Sequence, residues 1–422
     1  MIVKLRYGDD RVNVDLRGLR VRPLAPAAPA GQPDPAALVA AALDSPLAGS
    51  DLAALARGAR TATVVVPDAT RNAALPQILP IVLARLLSAG IEPDAITLLV
   101  ATGTHPPVGR QSVAELVGTL AGGVTVLEHD SRDDGSLVEV GELRRDLPLR
   151  LHRRAVEADL LITVGAVSHH YFAGFGGGPK MIFPGIAGHD EIQANHALVL
   201  EAVVGDAWRR HPGCEPGRLA GNPVAEEIAR AAALCPPAMA VCLAPGRDGG
   251  ISWAVAGPWE PAFEAAVSKV RSWFEVGEER LFDLMVAGAG GAPKDRTLIQ
   301  AHKALDAACR FLVPGGELLF AAALDRGPGS PAMTPFLDDP RPDAILERLA
   351  RGWVQYGHTT LRLVEKTSRF RVQLFSDLDP DLARRLGFHP VADLDTSVDR
   401  WRTDRPGARV GVMAAGSVYP RA

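Results

Sequence analysis

Residues 160–196 read LLITVGAVSHHYFAGFGGGPKMIFPGIAGHDEIQANH, and this stretch indicates both the fold class and the place of the chemistry. It begins with an apolar, β-branched run at 160–164 that predicts a buried strand. A histidine pair at 169–170 follows, and four glycines at 174–178 then lead to Lys180. Glycine lets the backbone approach a ligand closely, at a cost in conformational entropy, so this density of glycines suggests a use. The stretch therefore predicts a strand that delivers polar side chains to a binding site.

Two stretches upstream have the same layout, an apolar run followed by polar residues. The runs at 61–66 and 95–100 predict strands, and the amphipathic segment at 75–89 between them predicts a helix. Alternating strands and helices are typical of parallel sheets in an α/β fold, in which ligands bind beyond the carboxyl ends of the strands. The polar residues expected at those ends are Asp68, Arg71, His105, His169 and His170.

The pattern predicts two α/β domains with mainly parallel sheets. Charged residues at 275–280 interrupt the first series of strands and helices, and a new apolar run at 281–287 begins a second series. We expect an N-terminal domain at 1–270, which carries Lys180 and the histidines, and a C-terminal domain at 271–422. An active-site cleft is expected between the two domains, with the second domain closing over the substrate.

The composition excludes several classes of protein. The 422 residues are 47% apolar and 22% charged, as in an ordinary globular protein, and the net charge of −4 argues against nucleic acid as a partner. The four cysteines lack the spacing of a structural zinc site or a disulfide framework. The first residues do not resemble a signal peptide, and no apolar run approaches the roughly 20 residues that span a bilayer. We therefore expect a cytoplasmic protein with no membrane partner.

Each candidate residue also has a plain structural interpretation. The glycine loop is not a P-loop, because Pro179 precedes the lysine and Met181 follows it where that motif has glycine and serine or threonine. A surface loop would explain it as well. His196 lies on an apolar helical stripe, either as a core histidine or as a metal ligand. The residues that local pairing or packing would also explain are Asp68 with Arg71, Gln300 with Lys303, and Trp353.

Taken together, the residues resemble the family of nickel-pincer-dependent lactate racemases and their relatives that act on other 2-hydroxy acids. The resemblance covers most of the chain, from DATR at 68–71 to Trp353. It is strongest over HYFAGFGGGPK at 170–180, FPGIAG at 183–188 and NH at 195–196.

The resemblance implies a cofactor and a set of site residues. In the family a lysine holds a pyridinium-3-thioamide-5-thiocarboxylate mononucleotide with nickel, and Lys180 matches this covalent attachment site. His196 matches the protein ligand of nickel, and His105 and His170 match the two catalytic acid/base histidines. The other cofactor-binding residues that it implies are Asp68, Thr70, Gly176, Gly177 and Gly178. The substrate-binding residues that it implies are Arg71, Gln300, Lys303 and Trp353.

The sequence departs from the family at two points. The loop GFGGGPK replaces a Tyr-Ser pair and a basic residue that are more common before the lysine, and Pro107 stands where a basic or polar residue often follows the histidine. Because the lysine itself is retained, the implied chemistry stands. The departures leave the identity of the substrate open.

The implied function is racemisation of a short-chain 2-hydroxy acid, lactate or a close analogue, by reversible hydride transfer. Proton abstraction from the chiral carbon faces a large barrier, because the neighbouring carboxylate cannot accept more charge. Removal of a hydride needs an electron-poor acceptor, and the hydroxyl proton needs a base whose pKa lies near about 7, as histidine's does. Two histidines on opposite faces then permit inversion. The implied partners are the small-molecule acid and the enzymes that mature the cofactor.

Three other functions fit parts of the pattern. The same apparatus would epimerise a larger 2-hydroxy acid such as a sugar acid. A zinc-dependent hydrolase would place His105, His170 and His196 around the metal. A non-catalytic protein would bind the nickel cofactor or an anionic ligand without turnover.

Overall fold

The computed structural model describes residues 1–31, 33–69, 71–105, 109–119, 122–203, 207–278, 280–414 and 416–421. The chain forms two compact units, each with a mainly parallel sheet, which confirms the predicted α/β class. The larger unit comprises Ala28–Val199 and Arg210–Arg271. The smaller unit comprises Met1–Ala27, Leu200–Arg209 and Ser272–Ala422. No helix in the described part of the chain is long and apolar enough to cross a membrane.

A six-stranded sheet forms the centre of the larger unit. In spatial order its strands are Ile251–Gly257, Met239–Pro245, Leu160–Ala166, Ala62–Pro67, Ile96–Ala101 and Thr125–Glu128. Neighbouring strands run parallel, apart from the antiparallel pair of Ile251–Gly257 and Met239–Pro245 at one edge. Ala62–Pro67 and Ile96–Ala101 are buried along their whole length, as expected of central parallel strands that are covered on both faces.

Helices and short hairpins surround this sheet. The α-helices are Pro35–Asp44, Leu52–Ala56, Leu75–Ser88, Arg110–Val117, Arg153–Val156, His189–Ala197, Pro223–Leu234 and Trp259–Phe274. The 3₁₀ turns are Pro93–Ala95, Asp134–Ser136, Arg144–Asp146 and Gly178–Met181. The antiparallel pairs are Leu137–Glu142 with Pro148–His152 and Ser168–His170 with Gly174–Gly176.

The helix predicted at 75–89 shows why the larger unit folds as it does. It spans Leu75–Ser88 and buries Ile78, Leu79, Val82 and Leu86, which lie three or four residues apart on one face. These side chains join a core that also takes residues from the central strands. Pro80 lies inside the helix without ending it.

The smaller unit also has a six-stranded sheet, and all its neighbouring strands are parallel. In spatial order the strands are His389–Pro390, Arg371–Phe375, Leu312–Ala321, Phe282–Gly288, Arg409–Met413 and Arg20–Pro23. The helices are Leu298–Cys309, Thr334–Leu337, Pro342–Arg351, Gly357–Arg369, Pro380–Arg385 and Leu394–Asp404, with a 3₁₀ turn at Pro331–Met333. The remaining strand pairs are Ile2–Tyr7 with Asp10–Asp15, Leu200–Ala202 with Trp208–Arg210, and Glu275–Val276 with Tyr419–Pro420.

The units differ from the predicted domains, 1–270 and 271–422, at the beginning of the chain and at Leu200–Arg209, which belongs to the smaller unit. One border lies at Arg271/Ser272, but Met1–Ala27 belongs with the C-terminal residues. The reason is that Arg20–Pro23 pairs in parallel with Arg409–Met413 and becomes the edge strand of the smaller sheet. Side chains of the first hairpin are also buried in the core of that unit.

Candidate active site

Three adjacent strands of the larger sheet bring the candidate polar residues together. Leu160–Ala166, Ala62–Pro67 and Ile96–Ala101 are hydrogen-bonded neighbours and run in the same direction. Their carboxyl ends therefore meet at one edge. Asp68 lies just beyond Ala62–Pro67, and His105 lies just beyond Ile96–Ala101. His170 follows Leu160–Ala166, in the short strand Ser168–His170.

Asp68 and His105 form a direct hydrogen bond. Nδ1 of His105 lies 2.6 Å from Oδ2 of Asp68. Because an ionised carboxylate only accepts hydrogen bonds, the ring nitrogen Nδ1 donates, and Nε2 of the neutral ring keeps a lone pair. The resemblance assigned Asp68 to the cofactor, whereas the partner seen here is the histidine. The pair leaves His105 in the tautomer that suits a base acting through Nε2.

His170 has the opposite arrangement of its two ring nitrogens. Its Nδ1 accepts a hydrogen bond from the backbone N–H of Ala173 at 3.2 Å. In the neutral ring the proton therefore lies on Nε2. His169, the neighbouring histidine, packs against the ring of Phe175, with 4.8 Å between ring centroids. The two adjacent histidines thus have different surroundings, as expected from an extended backbone.

Phe172 joins three of the candidate residues, and the sequence reasoning did not single it out. Its ring meets the His170 ring edge-on at 4.6 Å and the His196 ring edge-on at 5.2 Å between centroids. Nζ of Lys180 lies 5.6 Å from the centre of the same ring. Phe172 therefore places His170, His196 and Lys180 around one aromatic side chain.

His196 is held in the tautomer of a metal ligand. It lies in the last turn of the helix His189–Ala197, and its Nδ1 donates to the backbone carbonyl of Ile192 at 2.8 Å. Nε2 consequently keeps its lone pair, which is the arrangement that a metal-binding imidazole needs. Burial, with Lys180 and His105 nearby, lowers the pKa of His196 to about 3 against the opposing effect of the Ile192 hydrogen bond. The ring is neutral over the physiological range.

The glycine loop is required by packing within the larger unit. A Cβ on Gly177 would lie 2.5 Å from the carbonyl oxygen of Ala166, and a Cβ on Gly178 would collide with the ring of Phe263. Both glycines also have positive φ, +72° and +52°. Gly176 differs, because a Cβ there would make ordinary contacts at 3.8 Å with Ser168. The contact of Gly176, Gly177 and Gly178 with a cofactor stays a prediction.

Replacing Gly178 with alanine should lower the free energy of unfolding by about 1–3 kcal/mol. The new methyl group must displace the Phe263 ring, and the alanine backbone must adopt a positive φ. Gly176→Ala is the matched control in the same loop, and it should change that free energy by less than about 1 kcal/mol. Urea unfolding of both variants measures the difference. Equal stability of the two variants would contradict the packing assigned to Gly178.

A pocket of about 260 Å³ opens beside Lys180 within the larger unit. Aromatic rings and carboxylates form much of its lining, namely Phe175, Trp259, Phe263, Glu226, Glu260 and Glu264. Pro179 and Lys180 contribute the wall from the glycine loop. The lysine therefore borders a space of the size of a small organic group.

The predicted substrate residues of the smaller unit form two local pairs. Lys303 donates to Oε1 of Gln300 at 2.7 Å, as the three-residue spacing on the helix Leu298–Cys309 allows. The Trp353 ring stacks on His358 with 5.0 Å between centroids, and its buried Nε1 has no hydrogen-bond partner among the described residues. The sequence reasoning missed His358.

The remaining predicted residues are placed as follows. Arg71 is exposed, and its backbone N–H donates to the carbonyl of Asp68 at 3.1 Å. Thr70 lies outside the described residues. Among the residues that are described, no three His, Cys, Asp or Glu side chains are grouped so that they could hold a metal ion. The geometry therefore gives no support to the zinc site proposed for His105, His170 and His196.

The sequence is similar to known proteins over most of its length. Residues 7–205 match the family described as the lactate racemase N-terminal domain. Lactate racemase of Lactiplantibacillus plantarum is 29% identical over 393 residues, which are 89% of this chain and 88% of that protein. Lactate racemase of Thermoanaerobacterium thermosaccharolyticum is 29% identical over 293 residues, 69% of this chain and 66% of that protein.

Solved structures with the same fold come from two organisms. The lactate racemase apoprotein from Thermoanaerobacterium thermosaccharolyticum superimposes with a TM-score of 0.86 over 100% of both chains, at 24% identity. A crystal structure of a protein from Thermotoga maritima gives a TM-score of 0.66 over 93% of this chain and 99% of that one, at 15% identity.

The sequence matches to proteins named lactate racemase identify an enzyme of the isomerase class. These matches confirm the resemblance to the lactate racemase family that was noted in the sequence.

Proposed function

We propose that this chain racemises a short-chain 2-hydroxy acid, with lactate as the first substrate to test. The observation that carries the proposal is the group of His170, Lys180 and His196 around Phe172. His105 acts electrostatically on His196, and its ring tautomer is opposite to that of His170. The similarity to two proteins named lactate racemase supports the choice of substrate.

The residues around Lys180 fit the nickel-pincer nucleotide implied by the family. Lys180 would hold the nucleotide through its amine, and His196 would bind nickel through Nε2. The neutral ring of His196 and the position of Lys180 beside Phe172, whose ring His196 also contacts, are the observations that favour this assignment. When bound, the nucleotide supplies an electron-poor ring that accepts a hydride. A role of Asp68, Thr70 and the glycines in holding it stays a prediction.

The two histidines handle the hydroxyl proton. As the Cα–H bond of the acid is broken with loss of a hydride, the hydroxyl proton passes to Nε2 of His105, and a planar 2-keto acid results. His105 is prepared for this step because its hydrogen bond to Asp68 keeps Nε2 free of a proton. Asp68 also stabilises the imidazolium that forms.

His170 completes inversion from the other face. In its doubly protonated form it gives the proton on Nε2 to the carbonyl oxygen of the keto acid as the hydride is restored to carbon, and a neutral ring with its proton on Nδ1 remains. Both this acid form and the base that accepts a proton at Nε2 in the opposite direction carry a proton on Nδ1, so in either role the ring must give up the hydrogen bond from Ala173. Between turnovers His105 loses its extra proton to water and His170 regains one. The two enantiomers therefore use the histidines in opposite order.

Substrate binding is assigned to four further residues by the resemblance. Arg71 would hold the carboxylate through its two parallel N–H groups while the keto acid turns. Gln300, Lys303 and Trp353 would bind the substrate from the smaller unit. Closure over the substrate, the maturation enzymes as partners and a cytoplasmic location stay predictions.

The direct test uses protein that has been matured with the cofactor-building enzymes. We expect each pure enantiomer of lactate to be converted to the racemic mixture, which chiral chromatography follows with time. A panel of larger sugar acids measured in parallel decides between racemisation of lactate and epimerisation of a larger acid. The proposal fails if the matured protein carries nickel and the nucleotide but converts none of these acids.

A further inference from the structure

One buried histidine, His129, makes hydrogen bonds both to the turn that carries His105 and to the segment that carries Lys180. It directly follows the strand Thr125–Glu128 and is fully buried. No role in binding or catalysis is assigned to it by the family resemblance. Its contacts nevertheless reach both parts of the candidate site.

The backbone of His129 holds the beginning of the His105 turn. Its N–H donates to the carbonyl of Val100 at 3.0 Å, and its carbonyl accepts a hydrogen bond from the hydroxyl of Thr102. The backbone N–H of His105 in turn donates to the carbonyl of Thr102 at 3.0 Å. Thr102 thus stands between His129 and the catalytic histidine.

The side chain of His129 reaches the second segment. Its Nε2 lies 2.9 Å from the carbonyl oxygen of Ala187 and donates to it. Two residues earlier, the carbonyl of Gly185 accepts from the N–H of Gly103, and the N–H of Gly185 donates to the carbonyl of Lys180, at 3.0 and 3.1 Å. The ring therefore joins the 102–105 turn to the 180–187 segment.

The surroundings of His129 keep the ring neutral. Burial lowers the pKa of His129 against the opposing effects of the Ala187 hydrogen bond and of Asp130 and Asp133. Nδ1 has no hydrogen-bond partner among the described residues, and the nearest imidazole, that of His152, meets the ring at 5.7 Å between centroids. Among the described residues, the side chain makes its hydrogen bond through Nε2–H, to the carbonyl of Ala187. A replacement for His129 must therefore supply a hydrogen-bond donor at the position of Nε2.

We infer that His129 is a positioning residue, which holds the turn that carries His105 against the 180–187 segment and thereby fixes the position of the His105 ring. The inference rests on the proposed function, since it assumes that His105 is the base. Removing the ring leaves the Ala187 carbonyl buried without its donor and loosens the turn. A glutamine side chain places an amide N–H near the position of Nε2 and should restore the contact.

The test compares His129→Leu, which lacks the donor, with His129→Gln, which keeps it. The readout is the low-field NMR signal of the Nδ1 proton that His105 shares with Asp68, assigned by its loss in His105→Gln. In protein without cofactor, we expect the exchange of this proton with water to be about tenfold faster in His129→Leu, because an unsatisfied buried carbonyl destabilises the turn. His129→Gln should restore slow exchange.

The control is His152→Leu, which removes a comparably buried imidazole whose Nδ1 accepts from the backbone N–H of Arg154. It should lower thermal stability and leave the His105 signal unchanged. The inference is overturned if His129→Leu leaves that signal unchanged, or if His152→Leu weakens it equally. In matured enzyme, His129→Leu should lower kcat about tenfold with little change in KM. The signal is recorded without cofactor, so failure of the proposed racemase activity would leave its outcome intact.

Discussion

Lys180→Arg should abolish both the covalent cofactor and the racemase activity. Arginine keeps the positive charge beside Phe172. It lacks the primary amine to which the nucleotide would be bonded, so the variant cannot form the covalent link. Intact-mass measurement of protein matured with the cofactor-building enzymes should show the mass of the nucleotide on the wild type and none on the variant. Nickel content should fall in parallel.

Lys269→Arg is the matched control for this experiment. Nζ of Lys269 lies 5.5 Å from the centre of the Trp253 ring, a cation–π contact in the same unit that resembles the one between Lys180 and Phe172. This variant should retain the added mass, the nickel and full activity. An unmodified wild-type protein that nevertheless racemises lactate would refute the role assigned to Lys180.

His105→Ala and His170→Ala should each lower kcat for both enantiomers by about 10³-fold, the usual contribution of a positioned acid or base. Both directions are affected because every turnover removes a proton on one face and returns one on the other. Progress curves from pure enantiomers measure the loss. Wild-type rates in either variant would remove the two-histidine scheme.

Asp68→Asn tests the role of the His105 tautomer while the histidine itself is kept. The amide can donate a hydrogen bond to Nδ1, which would place the ring proton on Nε2 and block the base. We therefore expect a large loss of kcat in a protein whose histidines are all present and whose stability is little changed. If the low-field signal of the His105 Nδ1 proton persisted in Asp68→Asn, that explanation would be contradicted.

The strand ends were predictable from the sequence because they depend on local pattern. The runs predicted at 61–66, 95–100 and 281–287 correspond to Ala62–Pro67, Ile96–Ala101 and Phe282–Gly288. Parallel pairing then brings the residues that follow the first two strands to one edge. The lysine and the histidines could be named because glycine, lysine and histidine are distinctive residue types at such ends.

Contacts between distant segments could not be predicted in the same way. The pairing of Asp68 with His105 depends on which strands are neighbours, and periodicity carries no information on strand order. Phe172 looks like any apolar residue in the sequence, although its ring meets His170 and His196. The strand Arg20–Pro23 is short and polar, and only its pairing with Arg409–Met413 makes it part of a sheet.

That edge strand also imposes an order on folding during synthesis. Arg20 is synthesised well before its partner Arg409, because most of the chain described here lies between them. The smaller unit cannot complete its sheet until Arg409–Met413 has been released. The larger unit has all its residues by Arg271, so its sheet and the surroundings of Lys180 can form while the smaller unit still waits for its last strands. During that interval the strand Arg20–Pro23 has no partner strand, and its unpaired backbone groups are open to mispairing.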